Sequence, residues 1–390
     1  MMLAIPLAWL QLTRQTLRFL VTLAGIAFVV ILIFMQVGFQ DALYTSSTLL
    51  HSNLKGDLFL ISTQYRALTS QQAFSRSRLY QTLGFDGVES VSPLYFAFAK
   101  LKNPQDGQKN TIYVIGIDPA KPALGLPEVN QNLDKIKFPD VALFDRKSRV
   151  EFGPISQEFD QGKKVEIEIF DYNQAVGYRV KVVGLFTLGN SFGVDGNLIM
   201  NYLTFLRTFP TRQAEKIDVG AITLKPGANI QQVHRALETS LPKDVFVLTK
   251  NQFINMEKQY WAIRTPIGFV FNLSVSMGFI VGVAVVYQIL YSNISNHLME
   301  YATLKAMGFK NNYLLGVVFQ QASFLAVLGY IPGFALSLGL YDIANKATHL
   351  PVLMSFDKAL LVLTSVTLMC FVSGAIAMGK LRSADPADIF

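Results

Sequence analysis

The sequence predicts a membrane protein with four transmembrane α-helices and a large water-exposed α+β domain of two subdomains between the first helix and the second. Three observations predict it. Of the 390 residues 51% are apolar and 16% charged, with a mean hydropathy of +0.34; that is too apolar for a soluble chain of this size and too charged for one wholly in lipid. Four runs, 19–40, 265–299, 311–341 and 359–379, contain no Lys, Arg, Asp or Glu, and each exceeds the roughly 20 helical residues that cross a hydrocarbon core of about 30 Å. The long stretch between the first two runs carries acids and bases in near balance and alternates strand and helix patterns.

Taken in order, residues 1–18 come first. Trp9-Leu10-Gln11-Leu12-Thr13-Arg14-Gln15-Thr16-Leu17-Arg18 places apolar residues at helical spacing beside two arginines, which predicts an amphipathic helix on the membrane surface or an extension of the first span. The first span is 19–40. Its apolar core is long, 18 residues precede it, and no small-x-small cleavage site follows it before Asp41, so it is expected to be an anchor rather than a cleaved signal. Arg14 and Arg18 precede it and Asp41 follows, while Lys380 and Arg382 sit in the tail, 380–390. With four spans, both termini are expected in the cytoplasm and 41–264 outside.

Within 41–264, strand patterns at 58–62, 88–100, 110–117, 165–170, 178–187, 217–224 and 244–249 alternate with helical patterns near 73–83, 229–240 and 250–261. Two strand–helix–strand units flank a more β-rich stretch. This predicts a split α+β subdomain, about 41–119 and 216–264, with a β-rich subdomain inserted at about 120–215. The later spans are 267–291, 312–340 and 359–379.

Several functions are excluded or left without support. No basic stripe suggests nucleic-acid binding. The lone Cys370 lies in an apolar run and forms no disulfide within the chain. His51, His234, His297 and His349 have no second ligand at metal spacing. No G-x-S-x-G or H-E-x-x-H is present, and Glu166 with Glu168 reads as an exposed strand face. The chain also lacks G-x-x-x-x-G-K-[ST], so it has no phosphate-cradling loop and is expected to bind no cofactor itself.

Small residues set the expected packing of the spans. Gly278 and Gly282 form a G-x-x-x-G on the second span, and Gly329 with Gly333 repeats it on the third beside Pro332; such faces allow helices to approach closely, within a chain or between copies. Pro332 is expected to kink the third span. Asn272, Gln288, Gln320 and Gln321 are polar at membrane depth and are expected to face protein. Between spans two and three, 298–308 predicts a short helix with Tyr301, Leu304 and Lys305 on one side, capped by Gly308.

That loop, Met299-Glu300-Tyr301-Ala302-Thr303-Leu304-Lys305-Ala306-Met307-Gly308-Phe309, resembles the R-E-apolar-small-x-L-K-A-apolar-G loop of the MacB/LolC/FtsX permease family. Leu12 to Ile26 (LTRQTLRFLVTLAGI) is similar to that family's entry into its first span. The tail Ser383-Ala384-Asp385-Pro386-Ala387-Asp388 is similar to its closing motif. The layout agrees as well, and within the family the likeness is to the DevC type, whose ATPase is a separate polypeptide. Met299 stands where the family often has Arg.

The resemblance implies the permease of an ABC exporter of the type VII, mechanotransmission kind. It implies a homodimer in a bacterial inner membrane, two copies of a separate cytoplasmic ATPase using ATP and Mg, and a periplasmic adaptor (a membrane fusion protein) leading to an outer-membrane duct in a tripartite efflux assembly. The cargo implied is a glycolipid or other amphiphile. Glu300 and Lys305 would then make polar contacts with the ATPase, Tyr301 and Leu304 would fill its groove, Met307 would belong to the same ATPase-coupling segment, and Gly308 would set the return angle. Residues 250–265 would join the outer domain to span two, rigidly provided that Pro266 does not act as a loose hinge. Two alternatives share the layout: an FtsX-like transmitter that activates a periplasmic hydrolase, and a LolC-like lipoprotein-releasing permease.

Overall fold

The computed structural model describes residues 4–14, 16–70, 72–172, 174–348 and 350–382. The chain opens with α1 (Ala4–Thr13), α2 (Thr16–Ser47), α3 (Leu49–Asn53), β1 (Leu58–Ser62), β2 (Phe74–Ser75), α4 (Arg76–Gln81), β3 (Val88–Lys102) and β4 (Lys109–Ile117). There follow α5 (Pro127–Gln131), α6 (Leu133–Ile136), β5 (Val141–Asp145), α7 (Ile155–Asp160), β6 (Glu166–Phe170), β7 (Tyr178–Phe186), β8 (Asn197–Asn201) and α8 (Tyr202–Thr208). The rest is β9 (Lys216–Ile217), β10 (Val219–Leu224), α9 (Ile230–Ser240), β11 (Val245–Thr249), α10 (Lys250–Gln259), α11 (Pro266–Asn296), α12 (Leu298–Ala306), α13 (Asn311–Thr348) and α14 (Phe356–Arg382).

Two compact units result. One comprises the helices up to Ala42, Pro266–Thr348 and the chain from Val352; the other is Leu43–Thr265 with Leu350 and Pro351. In the first unit, α2, α11, α13 and α14 are long and apolar enough to cross a membrane. They run past the charge-free stretches at most ends, because a helix continues through interfacial polar residues while its backbone bonds are satisfied internally. The segment before α2 is a helix of its own, not an extension of the span. Arg14 interrupts it, and α1 turns Ala8, Gln11 and Leu12 inward while Trp9 and Leu10 stay exposed.

The second unit is built on a nine-stranded sheet in the order β11-β1-β10-β3-β4-β8-β5-β7-β6. In its first part β1 pairs antiparallel with both β10 and β11, and β10 pairs antiparallel with β3. Each strand–helix–strand unit, β1-α4-β3 and β10-α9-β11, therefore admits one strand of the other between its own two, a split α+β arrangement. In the second part β6 pairs with β7 and also returns to the end of β3, Lys100 opposite Phe170. Strands β3, β4, β8, β5, β7 and β6 thus close on themselves, which removes their free edges. The long β3 belongs to both parts: Val88–Leu94 pairs with β10, and Tyr95–Lys102 pairs with β4. Pro93, which has no N–H to donate, stands just before that change of partner. β4 pairs with β3 and β8, so the closed part draws on strands that precede residue 120 as well as on those after it.

Glu166 and Glu168 project from β6 toward cross-strand cations. Glu168 pairs with Lys102 (3.3 Å) and Arg179 (4.0 Å), and Glu166 with Lys181 (3.9 Å).

Where α3 meets α10, a buried polar cluster forms. Glu257 accepts hydrogen bonds from the Leu68 N–H (3.0 Å) and the Trp261 indole (2.9 Å). His51 Nε2 lies 3.5 Å from Glu257 Oε2 and 3.3 Å from the Tyr65 hydroxyl. Burial pushes the Glu257 carboxyl up to about 7 and the His51 imidazole down to about 3, so each is driven toward its neutral form.

The chain between α10 and α11 is not one rigid helix. A π-helical turn, Tyr260–Arg264, follows α10, and Thr265 is extended (φ −110°, ψ 146°). Pro266 is the cause: its ring disfavours helical geometry in the residue before it, and it has no N–H to continue the ladder. The expected straight connection over 250–265 is therefore broken at Thr265. By contrast α2 runs unbroken from Thr16 to Ser47.

Candidate coupling site

Asn296 ends α11 and α12 begins two residues later, with His297 the only link. Glu300 in the first turn of α12 and Lys305 in the last both complement the helix dipole. The helix stops at Gly308, whose φ of +90° is the left-handed region that favours glycine. There the Gly308 N–H donates to the Lys305 carbonyl (3.0 Å) and the Phe309 N–H to the Leu304 carbonyl (3.1 Å). This reciprocal pair is the Schellman closure.

The two faces of α12 differ. Tyr301 is 3% exposed and Leu304 half-buried. Both pack with Ile294, Leu314, Val317, Val318 and Met378 of the neighbouring helices. Tyr301 is therefore already occupied within the chain, while Leu304, expected with it in a partner's groove, keeps only part of its surface open. Three residues apart, they share one helix face, and the ends of α11, α13 and α14 already cover it. The exposed face is carried by Met299, Thr303, Lys305, Ala306 and Met307, with Met299 67% and Met307 62% exposed.

Gln11 of α1, to which the sequence pattern assigns no role of its own, fixes α12 in place. Its Nε2 donates to Glu300 Oε2 (2.7 Å). Its Oε1 accepts from Gln321 Nε2 (2.7 Å) and from the Tyr301 hydroxyl (3.4 Å). Glu300 also meets the Arg14 guanidinium (3.3 Å) and His297 Nδ1 (3.2 Å). Burial works to raise the Glu300 pKa, but the hydrogen bonds from Gln11 and His297 and the nearby positive charge outweigh it, leaving the carboxyl below its usual range. Burial holds the Tyr301 hydroxyl well above its ordinary range. One amide thus ties α1, α12 and α13 together, with an ionised carboxylate at its edge. The signal was present in the sequence: Ala8, Gln11 and Leu12 stand at i, i+3 and i+4, a buried stripe with one polar member.

All four packing glycines are used within the chain, against α2. A Cβ on Gly329 would lie 2.6 Å from Ile26 Cγ2, and one on Gly333 would lie 2.7 Å from Val30 Cβ and 3.0 Å from the Ala27 carbonyl. Gly282 meets Val29 and Met369, and Gly278 meets the Gln36 amide. Among the polar residues at membrane depth, Gln321 is buried on Gln11, Gln320 is half-buried, and Asn272 accepts from Gln40 Nε2 (2.6 Å). Gln288 departs from expectation and lies on the exposed side of α11. Pro332 sits inside α13. The tail motif 383–388 lies outside the described residues.

Among the described residues, four long apolar helices, a large α/β insertion after the first, and a short capped helix between the second and third define a multi-span membrane protein with one large domain outside the spans. The MacB-like periplasmic core domain family matches residues 19–240, and the FtsX-like permease C-terminal family matches residues 272–386. The chain belongs to the MacB/FtsX-type family of ABC permeases. Membership implies association with an ABC ATPase and dimerisation.

Among solved structures, the periplasmic region of MacB from Actinobacillus actinomycetemcomitans is similar at 14% identity, covering 51% of this chain and 91% of that one, with a TM-score of 0.34. The extracellular domain of the noncanonic ABC-type transporter YknZ from Gram-positive bacteria shares 13% identity over 50% of this chain and 99% of that one, TM-score 0.32. A domain of a putative permease from Porphyromonas gingivalis shares 12% over 50% and 89%, TM-score 0.33. No curated protein matches the sequence significantly.

Proposed function

We propose that this chain is a DevC-type permease subunit that works as a homodimer with two copies of a separate cytoplasmic ATPase in a bacterial inner membrane. Both termini are cytoplasmic and 41–264 is periplasmic. ATP and Mg are used by the ATPase, and this chain binds neither. Export of a glycolipid or similar amphiphile proceeds through a periplasmic adaptor and an outer-membrane duct, driven by movement of the outer domains. The observation that carries this reading is the fixation of α12 by Gln11: a helix pinned on one face to α1 and α13, with Met299, Thr303 and Met307 free on the other, is built to receive a push and pass it on.

The route of transmission follows from the backbone. The break at Thr265 weakens the connection through span two. The uninterrupted α2, gripped by all four glycine faces, is the stiffer path to the outer domain.

The test combines topology and energy. In a Cys370→Ala background, a cysteine at the exposed Gln105 should react with an impermeant maleimide once the outer membrane is permeable. A cysteine at the exposed Lys305 should stay unlabelled until the inner membrane is opened. The purified chain should hydrolyse no ATP alone. The adaptor-linked reading fails if the complex isolated in mild detergent brings down a cell-wall hydrolase in place of an adaptor; that result would favour the FtsX-like alternative.

A further inference from the structure

We propose that the groove between the first turns of α2 and the last turns of α11 is a binding site for an anionic phospholipid, with Arg18 as its headgroup anchor. The proposal rests only on the membrane-spanning character of the two helices. The groove has a volume of about 390 Å³. On α2, Leu17, Arg18, Val21 and Thr22 recur at i, i+1, i+4 and i+5, a single face; on α11, Gln288, Ser292 and Asn293 do the same. A smaller cleft adjoins it and shares Arg18 and Asn293.

Charge decides the occupant. Arg18 is exposed and, unlike Arg14, has no acidic partner among the described residues. Neither the groove nor the adjoining cleft is lined by Asp or Glu. On the Arg18 side the polar lining consists of a hydroxyl and an amide, Ser292 and Asn293, groups that donate to a phosphate without repelling it. A guanidinium suits such an anion because its planar donors bind two oxygens together.

Depth points to lipid rather than to a soluble anion. The charge-free run of the first span begins at Phe19, one residue after Arg18, so the guanidinium stands where hydrocarbon gives way to headgroups. Deeper than Arg18 the groove presents Val21, 66% exposed, and the facing Ile289. Its deep end is closed where α2 and α11 touch, since a Cβ on Gly25 would lie 2.8 Å from Ile289 Cδ1. Of the four spans, α11 is the least covered by the rest of the chain. The geometry therefore seats a phosphate on Arg18 and the first methylenes of an acyl chain against Val21 and Ile289. Basic pockets between spans recognise anionic headgroups in this way.

The experiment is native mass spectrometry of the full-length chain, released from detergent carrying equal phosphatidylglycerol and phosphatidylcholine. Retained phosphatidylglycerol should exceed phosphatidylcholine. Arg18→Gln should lower the retained phosphatidylglycerol roughly tenfold, the worth of one charge-assisted contact, and Arg18→Lys should restore most of it. Val21→Trp fills the groove from an exposed position and should lower retention with Arg18 intact, which keeps the test sound if Arg18→Gln inserts poorly. Three results would overturn the proposal. One is equal retention of the two lipids, or of phosphatidylglycerol in wild type and both variants. A second is displacement by inorganic phosphate, which marks a soluble-anion site. The third is loss of a dimer in Arg18→Gln with lipid retention unchanged, which marks the groove as a contact between copies.

Discussion

Gly308→Val isolates the backbone term at the end of α12, because the space around that glycine is empty. A Cβ there would meet no heavy atom within 4 Å, so the substitution adds no clash and removes no side-chain contact. What it changes is the cost of φ +90°. A left-handed conformation costs an ordinary residue about 1–2 kcal/mol, and a β-branched one more. The chain has one escape, which is to unwind the last turn and give up the two closing bonds from Gly308 and Phe309. At roughly 1 kcal/mol each, that also costs about 2 kcal/mol. The two routes are nearly equal, so Gly308→Val should populate the unwound turn heavily, and Gly308→Ala should do so less. Amide hydrogen exchange at residues 308 and 309 reads this directly: a change of about 2 kcal/mol corresponds to roughly 30-fold faster exchange. Exchange elsewhere in α12 should hold, because Tyr301 and Gln11 anchor its other end. Unchanged exchange at both amides in Gly308→Val would refute the argument that glycine is required there for its backbone.

Three further outcomes are expected. Gln11→Leu leaves the Gln321 amide and Tyr301 hydroxyl without their acceptor, at about 1–3 kcal/mol for each buried group left unpaired. Adding Gln321→Leu should recover part of that loss, whereas a double variant that melts no higher than the single one would show that Gln11 is not the hub. Gly333→Leu forces a side chain toward Val30 and the Ala27 carbonyl; overpacking costs about 1–3 kcal/mol, and labelling of the buried Cys370 by a thiol dye should begin several degrees lower, unless α13 does not press on α2. For pH, the sign differs between the two buried groups. The folded Glu257 carboxyl titrates near 7 against a reference of 4.5, so its contribution is fully present below the unfolded value and lost as pH rises through the folded one. His51 titrates near 3 against 6.5, so its contribution is present above the unfolded value and lost as pH falls through the folded one. In Trp9→Phe, the remaining tryptophan, Trp261, donates to Glu257; its emission should shift with a midpoint near 7 and lose that shift in Glu257→Gln. Flat emission from about pH 5 to 9 would contradict a carboxyl displaced by burial.

What the sequence makes legible is set by periodicity and by charge. The spans announce themselves as charge-free runs, and β7 or α9 as alternation or a polar–apolar stripe. β5 (VALFD) and β8 (NLIMN) are missed because all five residues of each are buried; a strand covered on both faces shows no alternation. The closure of β6 onto the end of β3 is invisible for another reason: it joins residues some 70 apart through backbone bonds that any side chains permit. At the coupling site the residues of α12 are found but their directions are not. An apolar face predicts that Tyr301 and Leu304 are covered, and only the packing of α11, α13 and α14 tells that the cover comes from the same chain. Gln11 is overlooked because a lone amide in an N-terminal amphipathic stretch reads as its polar side, whereas here it is buried at 6% exposure.

The central claim is that the exposed face of α12 receives the ATPase. Co-purification of the separate ATPase with the wild-type chain and with the double variant Met299→Asp, Met307→Asp tests it most directly. Both residues are exposed and outside the buried cluster of α12, so the variant should fold, insert and expose Cys370 to dye at the wild-type temperature. Each charge forced into an apolar contact costs about 2 kcal/mol or more, so capture should fall by roughly three orders of magnitude for the pair. Wild-type capture with loss in the variant is the outcome this account requires. Equal capture by both chains, or capture by neither, would contradict it.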